Sequence, residues 1–277
     1  MASSHLVIGA WSINPAWQNF SSLFREACTA LDAPTDMEKS HHLTASLYFG
    51  IASLEAFLNQ QMRTHLASSK SSDEIFKILR WGNLLKKVKA WPQEIIGKAT
   101  SVKSEVLELI TFCNDVRADL THPKSTGHDI YDRLFEVEPM SVVDAVAQYI
   151  VCFHEAQGSR YPYWVFGWNY LNPNQDTHEI VLIHDQQFCH SLAALGYNVP
   201  SWDYAQSEAW KNKYLATLDG YFEVRDALRS ATRCEPKFDR FPYQPKLCRR
   251  WWIPEHHRTC GHVSEVSLAA ARKFDEP

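Results

Sequence analysis

Asp36–Leu66, DMEKSHHLTASLYFGIASLEAFLNQQMRTHL, sets Leu43, Leu47, Ile51, Leu54, Leu58 and Met62 at intervals of three or four residues. A helix turns about 100° per residue, so these six side chains form one apolar seam along one face. An uninterrupted seam of this length predicts a principal core helix, and a chain built around such a helix is read as mainly α. On its N-terminal side, residues 14–31 carry Trp17, Phe20, Leu23, Phe24, Cys28 and Leu31 at the same spacing and stop before Pro34, which predicts a second helix. On its C-terminal side, Ala67-Ser-Ser-Lys-Ser-Ser72 is a polar break. Shorter helical pieces follow at residues 75–79 and 84–91, interrupted by Gly82 and Pro92.

The next amphipathic run covers residues 104–122. Val106, Leu109, Ile110, Cys113, Val116 and Leu120 point one stripe inward, and Glu105 and Glu108 suit the positive end of a helix. It ends in Arg117-Ala-Asp-Leu-Thr-His122, followed at once by Pro123. Inside a regular helix Arg117 and His122 would diverge by about 140°. The residue before a proline is pushed out of the α region, so His122 can turn back over the last turn towards Arg117. A guanidinium stays charged and grips two phosphate oxygens at once, and an imidazole moves protons near neutral pH. The same two residues also suit a surface arginine and a histidine capping the negative helix end. Spacing does not choose between these, because Arg249 and Arg250 are followed by His256 and His257 in much the same way. Asn114, one turn before Arg117, either positions it or is simply solvated. Glu55 and Asn59, one turn apart on the long helix, either line the same cleft or form a polar stripe or a buried hydrogen-bonded pair within the bundle. After a loop through Gly127, residues 141–156 read as a closing helix.

The character changes near Gly158. Residues 161–170 are aromatic and suit a strand, Asn172-Pro-Asn-Gln-Asp176 a turn, and residues 179–183 a second strand, so a hairpin is expected there. Residues 185–195 and 206–230 look helical, and a short helix is expected over 263–273. The expected organisation is a helical domain over 1–157 and a smaller mixed α/β accessory region over 158–277. Cys234, Cys248, His256, His257, Cys260 and His262 offer zinc-capable atoms without a Cys-x-x-Cys knuckle, so ordinary buried thiols are the favoured reading and no metal is expected. Arg249-Arg-Trp-Trp252 alternates cation and aromatic, as a single-strand-binding surface does and as core or dimer contacts also do.

A net charge of -4 argues against a broadly basic nucleic-acid coat but not against a local basic cleft. Seven cysteines, odd in number and without a regular framework, fit a reducing compartment. The N-terminus lacks a charged segment ahead of an apolar one, and no run of 18 or more apolar residues occurs. These features predict a soluble cytoplasmic protein with no membrane partner. No Walker loop, GxGxxG, GxSxG or HExxH is present.

Two segments carry a resemblance to a known family. Tyr48-Phe-Gly-Ile-Ala-Ser-Leu-Glu-Ala-Phe-Leu-Asn59 looks like the long helix of the HEPN superfamily, and Asn114-Asp-Val-Arg-Ala-Asp-Leu-Thr-His-Pro123 looks like its Arg-x(4 to 6)-His signature, in the matching order and separation. The resemblance covers about residues 14–157. It implies an HEPN-like helical bundle and, for catalytic members, a metal-independent endoribonuclease acting as a toxin or antiviral effector, dimerised so that two motifs face one cleft. By position, Arg117 is the motif arginine and His122 the motif histidine. The residue after the motif arginine is usually polar, whereas here it is Ala118; Asp119, three residues before His122, is a candidate to orient its imidazole instead. The implied partners are RNA, a second copy of the chain and an antitoxin or defence companion protein, with no cofactor. Two further readings stand beside this one: a non-catalytic HEPN-like module that binds RNA or protein, and a small-molecule-binding protein that uses the aromatic second half.

Overall fold

A computed structural model describes residues 14–80, 83–122, 129–166 and 204–234. Within them lie helices α1 (Pro15–Leu31), α2 (Asp36–Leu66), α3 (Ser72–Arg80), α4 (Leu84–Ile96), α5 (Ser104–Thr121), α6 (Asp129–Phe135) and α7 (Pro139–Gln157). A single 3-10 turn (Tyr163–Phe166) and helices α8 (Tyr204–Tyr214) and α9 (Leu218–Cys234) follow. The described residues are mainly helical and contain no strand.

Local chemistry sets the helix ends. Asn14 accepts the Trp17 N–H at 3.2 Å at the head of α1, and Thr35 accepts the Glu38 N–H at 3.2 Å at the head of α2, so each cap relieves a backbone donor with no partner inside its helix. The α2 seam is as the periodicity predicts: Leu43, Leu47, Ile51, Leu54, Leu58 and Met62 are all buried. Gly50 lets α2 approach its neighbours closely, since a Cβ there would stand 3.0 Å from Val142 Cγ1 on α7 and 3.5 Å from Leu23 Cδ1 on α1.

Helix α7 lies at the centre. It starts with Pro139 in its first turn and stops at Gly158, whose φ of 72° is left-handed and suits a residue without a side chain. Val142, Val143, Ala145, Val146, Ala147, Tyr149, Ile150, Val151 and Phe153 are buried over most of its circumference, leaving the stripe of Ser141, Asp144 and Gln148 half-buried, the pattern of a helix largely covered by others. It packs on α1, α2, α4, α5 and α9 and on the 3-10 turn.

Three expectations need correction. Pro92 does not interrupt its helix, because α4 runs through it to Ile96. Proline lacks the N–H that would bond the carbonyl four residues earlier, that of Val88. The hydroxyl of fully buried Tyr149 donates to that carbonyl at 2.8 Å, so α7 supplies the missing donor. The strand expected over 161–170 is, in its described part, the 3-10 turn, closed by the Val165 N–H on the Pro162 carbonyl at 3.2 Å. Aromatic residues favour strands because they fit half-buried pleated surfaces, and here the helical core offers them burial instead. Trp164, Val165 and Phe166 are buried, with the Trp164 ring 5.3 Å from that of Phe20. The single helix expected over 206–230 is two, α8 and α9, parted at 215–217, where the Leu215 carbonyl accepts the Tyr161 N–H at 2.9 Å. Gly220 permits this sharp return, since a Cβ there would lie 2.4 Å from the Lys213 carbonyl oxygen.

Tyr161, Trp164, Leu215, Tyr221 and Val224 belong to the same buried cluster as the apolar faces of α1, α2 and α7. The change of composition near Gly158 therefore does not mark the edge of the core. The expected turn at 172–176, strand at 179–183 and helices at 185–195 and 263–273 lie outside the described residues. So do the side chains of the Cys/His-rich stretch and of Arg249-Arg-Trp-Trp252.

His154 near the C-terminus of α7 stands 5.7 Å, ring to ring, from Phe57 and bonds Ser159 Oγ through Nδ1 at 2.9 Å. Burial pushes its imidazole down from 6.5 to about 4. In the unfolded chain the ring takes up a proton already near pH 6.5, so between that pH and about 4 unfolding binds a proton. Stability contributed by the neutral ring is therefore complete above about pH 6.5 and falls as pH drops through this window, by about 2 kcal/mol. Urea unfolding at pH 7 and pH 4.5 measures the loss, and His154→Gln should shrink it by most of that amount. An equal loss in both proteins would show that His154 is not its source.

Candidate functional site

Helix α5 presents the candidate pair. Val106, Ile110, Cys113 and Val116 are buried and fix its rotation, while Leu109 and Leu120 pack against the core's margin. Arg117, next to Val116, is half-buried, and His122 just past the last turn is exposed. His122 leaves the helical region at φ -131°, ψ 72°, as its place before proline requires, and its N–H donates to the Ala118 carbonyl at 2.8 Å. Among the described residues, neither the Arg117 guanidinium nor the His122 imidazole has a hydrogen-bond or ion-pair partner.

Their neighbours, by contrast, are tied to other helices. Asp119 Oδ2 accepts from Arg133 Nη1 on α6 at 2.7 Å, and the Arg133 guanidinium lies 5.3 Å from the Phe112 ring centre. Asp119 is thus engaged by α6, where the sequence suggested a carboxylate for His122. Thr121 Oγ1 donates to the Arg117 carbonyl at 2.8 Å and is itself hydrogen-bonded to the Tyr48 hydroxyl of α2. Asn114 is half-buried and makes no side-chain hydrogen bond among the described residues.

Glu55 and Asn59 serve elsewhere. Lys87 on α4 is 1% exposed, and its ammonium donates to Glu55 Oε1 at 2.7 Å, Asn59 Oδ1 at 3.0 Å and the Leu79 carbonyl at 2.9 Å. It also stands 5.1 Å from the Trp91 ring centre. All three protons of the ammonium are used, so this cluster pins α2, α3 and α4 together. Lys87 escapes a reading by apolar spacing alone. The signal was there: it falls one turn after Leu84 and one before Trp91, on the apolar stripe that also holds Val88, and a lysine on such a stripe needs an acidic partner.

Nucleophilic thiol chemistry finds no support in the described cysteines. Cys28, Cys113 and Cys152 are buried, and burial holds the thiols of Cys113 and Cys152 up at about 12 and about 11. Among the described residues no group of three or more His, Cys, Asp or Glu side chains is placed to hold a metal ion. No helix among them is long and apolar enough to cross a membrane. Comparison with family models, with curated proteins and with solved structures finds no match to this chain.

Proposed function

We propose that the chain is a metal-independent endoribonuclease of the HEPN type, a toxin or defence effector, with Arg117 and His122 at its site and an HEPN-like bundle as its frame. The observation that carries this reading is the contrast at the end of α5. Asp119 and Thr121 are committed to internal bonds, while the flanking Arg117 and His122 keep their charged and titratable groups free of partners among the described residues. RNA carries its own nucleophile, the 2′-hydroxyl. A cleaving site therefore needs a base near that hydroxyl and positive charge on the phosphate. His122 takes the 2′-hydroxyl proton, the oxygen attacks the adjacent phosphorus, and the 5′-oxygen of the next nucleotide leaves with the electron pair of the broken P–O bond and takes a proton from water to become a hydroxyl. Arg117 holds the phosphate oxygens as negative charge builds on them. Two chains facing each other across α5 would bring two such pairs to one RNA strand.

Incubation of the purified protein with mixed RNA in excess EDTA tests this. Cleavage that survives chelation and leaves 2′,3′-cyclic phosphate ends is the expected result. Binding of RNA without cleavage would favour the non-catalytic module, for which Ala118 beside the motif arginine speaks.

A further inference from the structure

The last turn of a helix is its weakest part, because its carbonyls lack partners within the helix and the end frays. A site made of Arg117 and of His122, which stands just beyond that turn, needs the end of α5 held still. Only two described side-chain hydrogen bonds reach residues 117–122 from other helices: Arg133 on Asp119, and Tyr48 on Thr121. The second has a defined direction. The Thr121 hydroxyl proton goes to the Arg117 carbonyl at 2.8 Å, so its oxygen accepts and the Tyr48 hydroxyl donates. A chain of two hydrogen bonds thus runs from α2 through the residue before His122 to the backbone of Arg117.

Tyr48 is also out of keeping with its helix. The apolar seam of α2 is buried, yet Tyr48 is 37% exposed, so core packing does not account for it. Its ring spans from α2 to the end of α5, and its hydroxyl ends on the segment between the two candidate residues.

Resting on the ribonuclease reading above, we propose that Tyr48 is a positioning residue of this site, clamping the final turn of α5 through Thr121 and so fixing His122 relative to Arg117. The clamp touches neither phosphate nor base. It acts on the geometry of proton transfer, and a displacement of about 1 Å there can cost as much as a hundredfold in rate.

Tyr48→Phe keeps the ring and removes the donor; Thr121→Val keeps the shape and removes the hydroxyl that relays it. Each is expected to lower kcat about tenfold or more with KM changed less than about twofold, while the melting temperature moves by no more than about 3 °C. The double variant should be no slower than either single one, because both break the same chain. Amide hydrogen exchange supplies a readout independent of cleavage: the His122 N–H, bonded to Ala118, should lose protection about fivefold or more in Tyr48→Phe. Unchanged exchange at His122, wild-type kcat in Tyr48→Phe, or losses that multiply in the double variant would each overturn the proposal. A wild-type protein that cleaves no RNA while Tyr48→Phe still loosens His122 would overturn the ribonuclease reading and leave the clamp in place.

Discussion

His122→Ala is expected to remove RNA cleavage, lowering kcat by about 10²- to 10⁴-fold, the span that a positioned general base contributes. The fold should be indifferent to the change. His122 is exposed, the hydrogen bond it makes uses its backbone N–H, and no described side chain depends on its ring. RNA binding should therefore persist. Arg117→Ala differs in kind: in the proposed reaction the guanidinium holds the phosphate both before and during cleavage, so both affinity and turnover should fall. Cleavage of a fluorescent RNA alongside filter binding separates the two effects. A His122→Ala protein that cleaves as fast as wild type would end the catalytic reading.

The largest effect on stability is expected at Lys87. Lys87→Met keeps most of the volume and removes the ammonium that three acceptors share. Breaking a buried ion pair from one side costs about 3–5 kcal/mol when the remaining charge has no access to water. Glu55 is 38% exposed and can rehydrate, which puts its share well below that range. The buried Leu79 carbonyl is left without its donor and adds about 1–3 kcal/mol. A net loss of about 3 kcal/mol follows, measurable by urea unfolding, with the junction of α2, α3 and α4 affected and the end of α5 spared. A loss below about 1 kcal/mol would show that the three bonds of the ammonium add little to stability.

The sequence makes the apolar periodicity legible and leaves the exceptions to it obscure. The seam of α2 and the inward stripe of α5 follow from spacing alone, because a helix converts sequence distance into direction. The caps at Asn14 and Thr35 and the stop at Gly158 are equally local in origin. What was not legible depends on partners distant in sequence. Pro92 reads as a helix breaker until the Tyr149 hydroxyl is placed beneath it. The aromatic run after Gly158 reads as a strand until a helical core is there to receive Trp164 and Phe166. In the candidate site, Arg117 and His122 were visible as residue types in one short segment. That Asp119 belongs to Arg133, and that Glu55 and Asn59 belong to Lys87, depends on contacts between helices that no spacing rule encodes.

The bond from Tyr149 to the Val88 carbonyl joins residues 61 apart in sequence, and that separation bears on the order of assembly. Until α7 docks, α4 has a vacancy in its hydrogen-bond ladder at Pro92, and a segment with such a gap is a poor helix by itself. Residues 84–96 therefore cannot be an early, autonomous nucleus. They are expected to gain their full helicity only as α7 docks, and the two should open as one cooperative unit under native conditions. Native-state hydrogen exchange in which α4 opened at a free energy far below that of α7 would show the two to be separable.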